Sequence, residues 1–220
     1  MLSAKAIVAL HDRKTHAWHH AQTDDQPDAQ TDAQPDAGDT SLPETSAEWL
    51  DLVARHHQAN FNLWHIEDEA RIPGATDSEL ADVKRRIDRV NQERNDLAEE
   101  LDRTLVAWIE ARGLPNPESP LHSESPGLII DRLSILALKT YHTREEAERP
   151  DAPAGHPMRN RERLRILEEQ RADLTWCLDE LWRETLNGTR RFKIYRQLKM
   201  YNDPLLNPAI YRKSSKVRSE

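Results

Sequence analysis

The sequence is poor in the residues that build disulfide-bonded or β-rich proteins. It has one cysteine, Cys177, in 220 residues, which excludes an internal disulfide framework and a multi-cysteine zinc site. Six glycines and 5% aromatic residues, against 32% charged residues, favour long solvated helices over a sheet sandwich. The apolar run around residue 130 is too short and too charged to span a bilayer. We therefore expect an all-α, cytoplasmic protein with no membrane partner.

Basic charge is missing from one segment. Residues 21–43 contain no Lys or Arg but six of the aspartates, so the formal net charge of -8 is misleading as an average. The rest of the chain is close to neutral, and a nucleic-acid partner is not expected. The segment has no large apolar side chain before Leu42, so it cannot offset the entropy of ordering. We predict a disordered acidic linker or insertion here, between an N-terminal helix (1–20) and a helical bundle domain (44–211), with a flexible basic tail at 212–220.

Apolar residues elsewhere recur at three- and four-residue spacing, which predicts a helical bundle of about five main helices. Thr76 or Asp77 is expected to cap the third helix, and Ser125, followed by Pro126, the fourth. The third and fifth helices carry heptad-patterned seams, which suit an internal bundle and a homo-oligomer interface equally well. The predicted helices cover residues 3–18, 46–72, 77–112, 126–149 and 158–187, followed by a short basic helix at about 190–200.

The fourth helix is apolar on nearly every side, yet it contains Asp131, Arg132 and Lys139. A buried charge left without a partner costs about 3–5 kcal/mol, so each of these charges should have a partner, water or a ligand. Polar residues also interrupt the packing faces of the second and third helices. One interpretation is ion pairs that fix helix register, such as Asp68 with Arg132 or Asp131 with Arg94. The other is a polar cleft shared by the three helices, and the sequence leaves both open.

A cleft of this kind would suit a small anionic ligand such as a nucleotide or sugar nucleotide, because Arg and Lys bind phosphate and carboxylate. His65 could transfer a proton, since its pKa is ordinarily near neutrality, and Asp68 or Asp131 could act as a general base. The cofactor is unknown, although Glu67, Asp68 and Asp88 could hold Mg²⁺. Whether the protein is an enzyme is left undecided; the alternative is a non-enzymatic helical adaptor or homo-oligomeric scaffold. The candidate ligand-binding residues are Arg71, Asn91, Arg94, Asn95, Arg132, Lys139, Lys199, Tyr201, Asn202 and Asp203.

Ten histidines raise the question of a metal site. The pairs His19-His20 and His56-His57 are adjacent, so in a helix their side chains point about 100° apart and rarely share one ion. His65 and Asp68 have usable spacing on one helix face. We therefore keep only His65 as a candidate and expect the other histidines to be solvated or in the core.

Two resemblances follow from the motifs. Glu67-Asp68 and Glu99-x-x-Asp102 resemble the Mg²⁺-binding motifs of all-α nucleoside-triphosphate pyrophosphohydrolases of the MazG type, but Arg71 stands where that family has a third acid, which favours incidental acids. A longer pattern over residues 44–211 resembles the bacterial domain-of-unknown-function family 4254, which implies a helical fold and no established activity. The motifs of that second pattern are Leu63-Trp64-His65-x-Glu67-Asp68-x-x-Arg71, Lys84-Arg85-Arg86-Ile87-Asp88, Asn91-Gln92-x-Arg94-x-Asp96, Glu124-Ser125-Pro126, the run from Ile130 to Lys139, and Lys199-Met200-Tyr201-Asn202-Asp203-Pro204.

Overall fold

The computed structural model describes residues 3–21, 46–196 and 205–208, and these residues form five helices. Within those ranges the only extended pairing is a single parallel bridge between Leu121 and Arg191. The prediction of an all-α bundle is confirmed. The helices are α1 (Ala4–Ala21), α2 (Ala47–Glu69), α3 (Asp77–Glu110), α4 (Pro126–Glu148) and α5 (His156–Leu186).

The predicted helix starts agree with the structure. The Ser46 side chain accepts a hydrogen bond from the Trp49 N–H at the start of α2. Thr76 and Glu79 form a reciprocal capping box at the start of α3. Local side-chain chemistry therefore sets both boundaries, which explains why sequence was sufficient to find them.

The helices share one main apolar core, and α4 lies at its centre. α4 packs most extensively against α5 and also contacts α1, α2 and α3. Ile129, Ile130 and Leu133 of α4 are almost completely buried. The N-terminal helix is part of the same core, because Ile7 and Leu10 of α1 pack into it. This arrangement places polar residues of α2, α3 and α4 close to one another.

The start of α4 lies very close to α3. A Cβ added at Gly127 would be 2.5 Å from the carbonyl oxygen of Ala98 and 2.8 Å from Cγ of Asp102. The Asp102 carboxylate accepts a 2.7 Å hydrogen bond from the Gly127 N–H and another from the Ser125 hydroxyl. Ser125 is the N-cap residue, as predicted, but its side chain does not cap its own helix. Asp102 of α3 caps it instead.

The structure corrects two expectations about charged segments. Arg132 and Lys139 were expected to be buried with Asp131, but both are exposed. They are seven residues apart and so share one side of α4, and that side faces outward. The predicted short basic helix at 190–200 is not helical over 190–196, the part that is described. There the backbone of Arg191 pairs with Pro120 and His122. Among the described helices, none is long and apolar enough to cross a membrane.

Candidate ligand cleft and polar network

Asp131 is the centre of a buried polar network between α2, α3 and α4. Its carboxylate accepts hydrogen bonds from His56 Nε2 (3.0 Å), Asn60 Nδ2 (3.0 Å), Arg94 Nε (2.7 Å) and Arg94 Nη2. Burial alone would raise the pKa of Asp131, but the bonds from Arg94 and His56 hold it well below its usual value. The predicted pair of Asp131 with Arg94 is present, and it is bidentate.

The network continues from α2 to α1 through His57. Asn60 Nδ2 also donates to Ser134 Oγ at 3.0 Å, and Ser134 Oγ lies 2.7 Å from His57 Nδ1. His57 Nε2 is 3.1 Å from the His11 carbonyl oxygen and 2.8 Å from Thr15 Oγ1. Because a carbonyl only accepts, we assign the ring proton to Nε2, so Ser134 donates to Nδ1. Burial, together with repulsion from His56, lowers the pKa of His57 to about 3, so this imidazole is neutral.

A cavity of about 360 Å³ opens beside this network, between α2, α3 and α4. Arg94 and Asn60 form its inner polar wall, and both are bound to Asp131 behind them. The apolar wall includes Trp64, Ile135 and Leu138. The remaining lining residues are Leu63, Glu67, Asp68 and Arg71.

Several predicted site residues do meet at this cavity, which we call the cleft. Glu67 is half-buried, while Asp68 and Arg71 are exposed near the end of α2. Arg71 forms a 3.2 Å ion pair with the Glu67 carboxylate and also donates to the Glu67 carbonyl. The expected pair of Asp68 with Arg132 is wrong, because Arg132 pairs with Glu124 at 2.8 Å.

Three other predicted residues lie elsewhere. Arg132 and Lys139 line a separate cavity of about 450 Å³ between α4 and α5. Asp88 lines an open depression between α2 and α3 and is paired with Lys84. The structure therefore does not bring Asp88 together with Glu67 and Asp68. The spacing of carboxylates along one helix does not specify the rotation of a neighbouring helix, so it cannot predict which acids of two helices come together.

The acids of the pyrophosphohydrolase-like pattern are also separated. Asp102 is buried against α4, as described above, and Glu99 is 3.6 Å from Arg103 on its own helix. Neither lines the cleft with Glu67 and Asp68. The structure thus supports incidental acids over a shared four-carboxylate magnesium site.

The remaining predicted ligand residues are peripheral or lie outside the described ranges. Asn91 Oδ1 accepts a 3.3 Å hydrogen bond from Arg94 Nη1, so it acts behind the cleft wall. Asn95 is half-buried on α3 and does not line the cleft. The predicted residues outside the description are Lys199, Tyr201, Asn202 and Asp203.

His65 does not line the cleft. Its ring lies beside those of His19 and His142, with ring centres 5.2 and 5.9 Å away. The predicted site residues do not include His142, and the adjacent pair His56-His57 was set aside as a metal site. His56 and His57 do repeat at helical spacing with Asn60, which was a usable signal for the Asp131 network.

Comparison with known families agrees with the motif pattern. The family model described as "Protein of unknown function (DUF4254)" matches residues 50–194, well over half of the chain. The chain belongs to this family. The match to DUF4254 covers nearly all of α2 and the whole of α3 to α5, but not α1, and it is narrower than the 44–211 expected from the motifs. Comparisons with curated proteins and with solved structures gave no significant match.

Proposed function

We propose that this DUF4254 protein binds a small ligand carrying an anionic group in the cleft between α2, α3 and α4. The observation that carries the proposal is the state of Arg94. Its side chain is 23% exposed, and Asp131 and Asn91 occupy three of the five N–H groups of its guanidinium. Two N–H groups are then available to a ligand, on a side chain already fixed in position. A preorganised guanidinium binds an anion with little further loss of side-chain entropy.

The apolar wall of the cleft suits a ring. Leu63 and Trp64 of α2 and Ile135 and Leu138 of α4 supply its apolar lining. A volume of about 360 Å³ falls at the lower end of the range of about 300–1,000 Å³ for small-molecule sites. Together these features support a ligand with one ring and one anionic group, such as a nucleotide or a sugar nucleotide fragment.

The charges around the cleft argue against a polyanion bound by the protein alone. Arg71 is neutralised by Glu67, and Arg94 by Asp131. Further phosphates would therefore need a cation, and Glu67 and Asp68 offer the hard oxygen ligands that Mg²⁺ prefers. Any hydrolysis or transfer reaction at this site would accordingly depend on Mg²⁺. We assign His65 no part in it.

A thermal-shift screen of the full chain tests the proposal. Nucleoside mono- and diphosphates and nucleotide sugars, each with and without Mg²⁺, should include compounds that raise Tm in a saturable way. Leu63→Trp should fill the cleft and abolish that shift, and Arg71→Gln should weaken binding about 10-fold, the effect of roughly 1.4 kcal/mol. Arg132→Gln is the matched control, because Arg132 lines the separate cavity between α4 and α5. A panel without any active compound, or a shift that survives Leu63→Trp, would contradict cleft binding.

The second candidate is a helical adaptor or homo-oligomeric scaffold, in which the Asp131 network only fixes the helix register. Two observations favour it. The four hydrogen bonds at Asp131 come from protein donors, so the carboxylate needs no ligand. In addition, α5 exposes large apolar side chains, with Met158 68% and Trp176 65% exposed. Exposed apolar side chains on one helix can serve as a protein contact when a partner covers them.

Sedimentation of the full chain over a range of concentrations separates the two candidates. A scaffold predicts a defined oligomer that Trp176→Glu dissociates, while Arg165→Glu on the same helix leaves it intact. A chain that is monomeric at every concentration would contradict the hypothesis of a homo-oligomeric scaffold. Loss of ligand binding with an unchanged oligomer would favour the cleft.

A further inference from the structure

Three histidines from three helices converge at a point outside the cleft. His19 lies near the end of α1, His65 in the last third of α2 and His142 in the last third of α4. One ring nitrogen from each lies within 4.8 Å of the corresponding nitrogen of the other two, and all three residues are half-buried. Among the described residues this is the only group of three or more side chains spaced to hold a metal ion.

The three rings are tilted relative to one another and none is stacked on another. The ring centres of His19 and His142 are 4.9 Å apart, at an interplanar angle of 77°. His65 is tilted by 49° to His19 and by 67° to His142. The lone pair of an imidazole nitrogen lies in the plane of its ring, so parallel stacked rings cannot direct their lone pairs at one point, whereas tilted rings can.

Hydrogen bonds fix which nitrogen each ring offers. His19 Nδ1 is 2.7 Å from the Thr15 carbonyl oxygen, and His65 Nδ1 is 2.8 Å from the Phe61 carbonyl oxygen. Carbonyl oxygens accept only, so both Nδ1 atoms carry the proton and both Nε2 atoms carry the lone pair.

The third ring, that of His142, is also held through its Nδ1 atom, in this case by a carboxylate. His142 Nδ1 donates to the Glu145 carboxylate at 3.0 Å. The Nε2 atoms of His19 and His142 are buried and have no hydrogen-bond partner among the described residues. Buried polar atoms nearly always have a partner, so these two point to a group that belongs between them.

We propose that His19, His65 and His142 bind a divalent first-row transition-metal ion, with Zn²⁺ as the expected occupant, through their Nε2 atoms. Metal-bound histidines almost always donate their other ring N–H to a carbonyl or carboxylate, as all three do here. Three imidazoles suit zinc and its neighbours and leave a fourth position for water. Zn–N bonds of about 2.0–2.1 Å require nitrogens roughly 3.4 Å apart in a tetrahedron. Small rotations of the three rings therefore complete the site.

This site goes beyond the ligand cleft, although the two are neighbours. The His142 ring stacks on the Trp64 ring at 4.9 Å and an angle of 10°, and Trp64 also lines the cleft. His19 lies outside the residues that match DUF4254, so the site also depends on the docking of α1. A metal ion with an open position could polarise or bind an anionic group, which is a different contribution from that of Arg94.

Metal binding is measured on the tag-free full chain after EDTA treatment, with ZnCl₂ as the titrant and no cleft ligand present. We expect one tightly bound equivalent. His65→Gln and His142→Gln should each weaken binding at least 100-fold, and Glu145→Gln about 10-fold, because Glu145 orients His142. Circular dichroism shows whether each variant is folded. Since no cleft ligand is used, failure of this test leaves the proposal for the cleft standing.

A surface site on α1 is the main alternative and supplies the matched control. His16 and His20 are four residues apart, with ring centres 4.1 Å from each other, so they could bind zinc on their own. The double variant His16→Gln/His20→Gln should retain the tight equivalent. Loss of zinc binding in that variant alone, or undiminished binding in both His65→Gln and His142→Gln, would overturn the proposal.

Cobalt gives a readout that needs no variant. Co²⁺ bound to the unmodified chain should show the intense visible absorption of four- or five-coordinate cobalt. Only the weak absorption of six-coordinate cobalt, or no bound cobalt, would contradict a three-histidine site even if every variant misfolded.

Discussion

The Asp131 network and the three-histidine cluster both include histidines of α2, yet they differ in how fully their polar atoms are satisfied. In the network, Asp131 and Asn60 bond to each other and to neighbouring protein groups. In the cluster, each ring is held on its Nδ1 side, while the Nε2 atoms of His19 and His142 have no described partner. The buried Nδ1 of His56 also has no described partner, but the Asp131–Asn60 centre of the network is held by protein groups alone and so stabilises the fold by itself. Ring nitrogens that are oriented by hydrogen bonds on their Nδ1 side and lack protein partners on their Nε2 side have the arrangement of metal-binding histidines.

Breaking the network at its centre should have the largest effect. Asp131→Asn removes the charge that compensates Arg94 while nearly keeping the shape of the side chain. Loss of one partner of a buried ion pair costs about 3–5 kcal/mol, and the 23% exposure of Arg94 places this case near the lower value. Urea denaturation measures the change. Arg132→Gln at the next residue is the control, and should cost about 0–1 kcal/mol because the Arg132–Glu124 pair is exposed. Equal losses of unfolding free energy in Asp131→Asn and Arg132→Gln would contradict the distinction between a buried and an exposed ion pair.

A second buried carboxylate, Asp102, has hydrogen bonds but no ion pair with any described residue. Comparing it with Asp131 therefore shows what the Arg94 cation contributes. Burial raises the pKa of Asp102 to about 6, although bonds from Ser125 and Gly127 oppose the shift. A raised pKa in the folded state gives stability that is complete below about pH 4 and is lost as the pH rises through about 6. The loss should be on the order of 2–3 kcal/mol, at about 1.4 kcal/mol per pKa unit.

The measurement is the free energy of unfolding at pH 4, 5, 6 and 7 for the natural chain and Asp102→Asn. The difference between the two curves isolates Asp102, since other titrating groups cancel. A difference that does not change with pH would show that Asp102 has an ordinary pKa.

The neutral imidazole of His57 should make the network sensitive to acid. Its pKa is lowered to about 3 by burial, then by His56, so the stability it contributes is present above pH 6.5 and lost as the pH falls towards 3. At pH 5 the loss relative to pH 7.5 should be about 2 kcal/mol, since the unfolded chain takes up a proton that the folded chain excludes. The measurement is the free energy of unfolding as a function of pH for the natural chain and His57→Gln. The same pH dependence in both would contradict this expectation.

The smallest effect should come from the histidine cluster without metal. In EDTA, His65→Gln should change the free energy of unfolding by less than about 1 kcal/mol, because the half-buried ring loses only one hydrogen bond. The same substitution at fully buried His56 should cost about 1–3 kcal/mol, since Asp131 loses a donor. Thermal and urea unfolding of the two variants in parallel provide the comparison. A His65 variant as unstable as the His56 variant would indicate a structural role for the cluster.

Much of the fold was predictable because its signals are local. Thr76 and Glu79 cap α3 through a motif of four residues. Val83, Val90 and Leu97 are buried at the spacing of the predicted seam. Such features depend on the geometry of one helix, and that geometry is the same in every bundle. Most of the motifs that indicated membership in DUF4254 likewise lie within single helices.

The candidate site was predictable only in part. The pair of Asp131 with Arg94 was among the expected alternatives, because both residues interrupt apolar seams. Arg132, one residue from Asp131, was expected to share its environment, but it faces outward and is 50% exposed. Adjacent residues in a helix point about 100° apart, so proximity in sequence says little about burial.

The sequence by itself determined the helical class, the capped starts of α2 and α3, the heptad seams and the family, because each is encoded within a single helix or motif. Only the tertiary structure decided which polar side chains meet. His19, His65 and His142 share no spacing motif, and they come together because α1, α2 and α4 pack with these turns side by side. Contacts between helices depend on crossing angle and rotation, which one helix's periodicity does not specify.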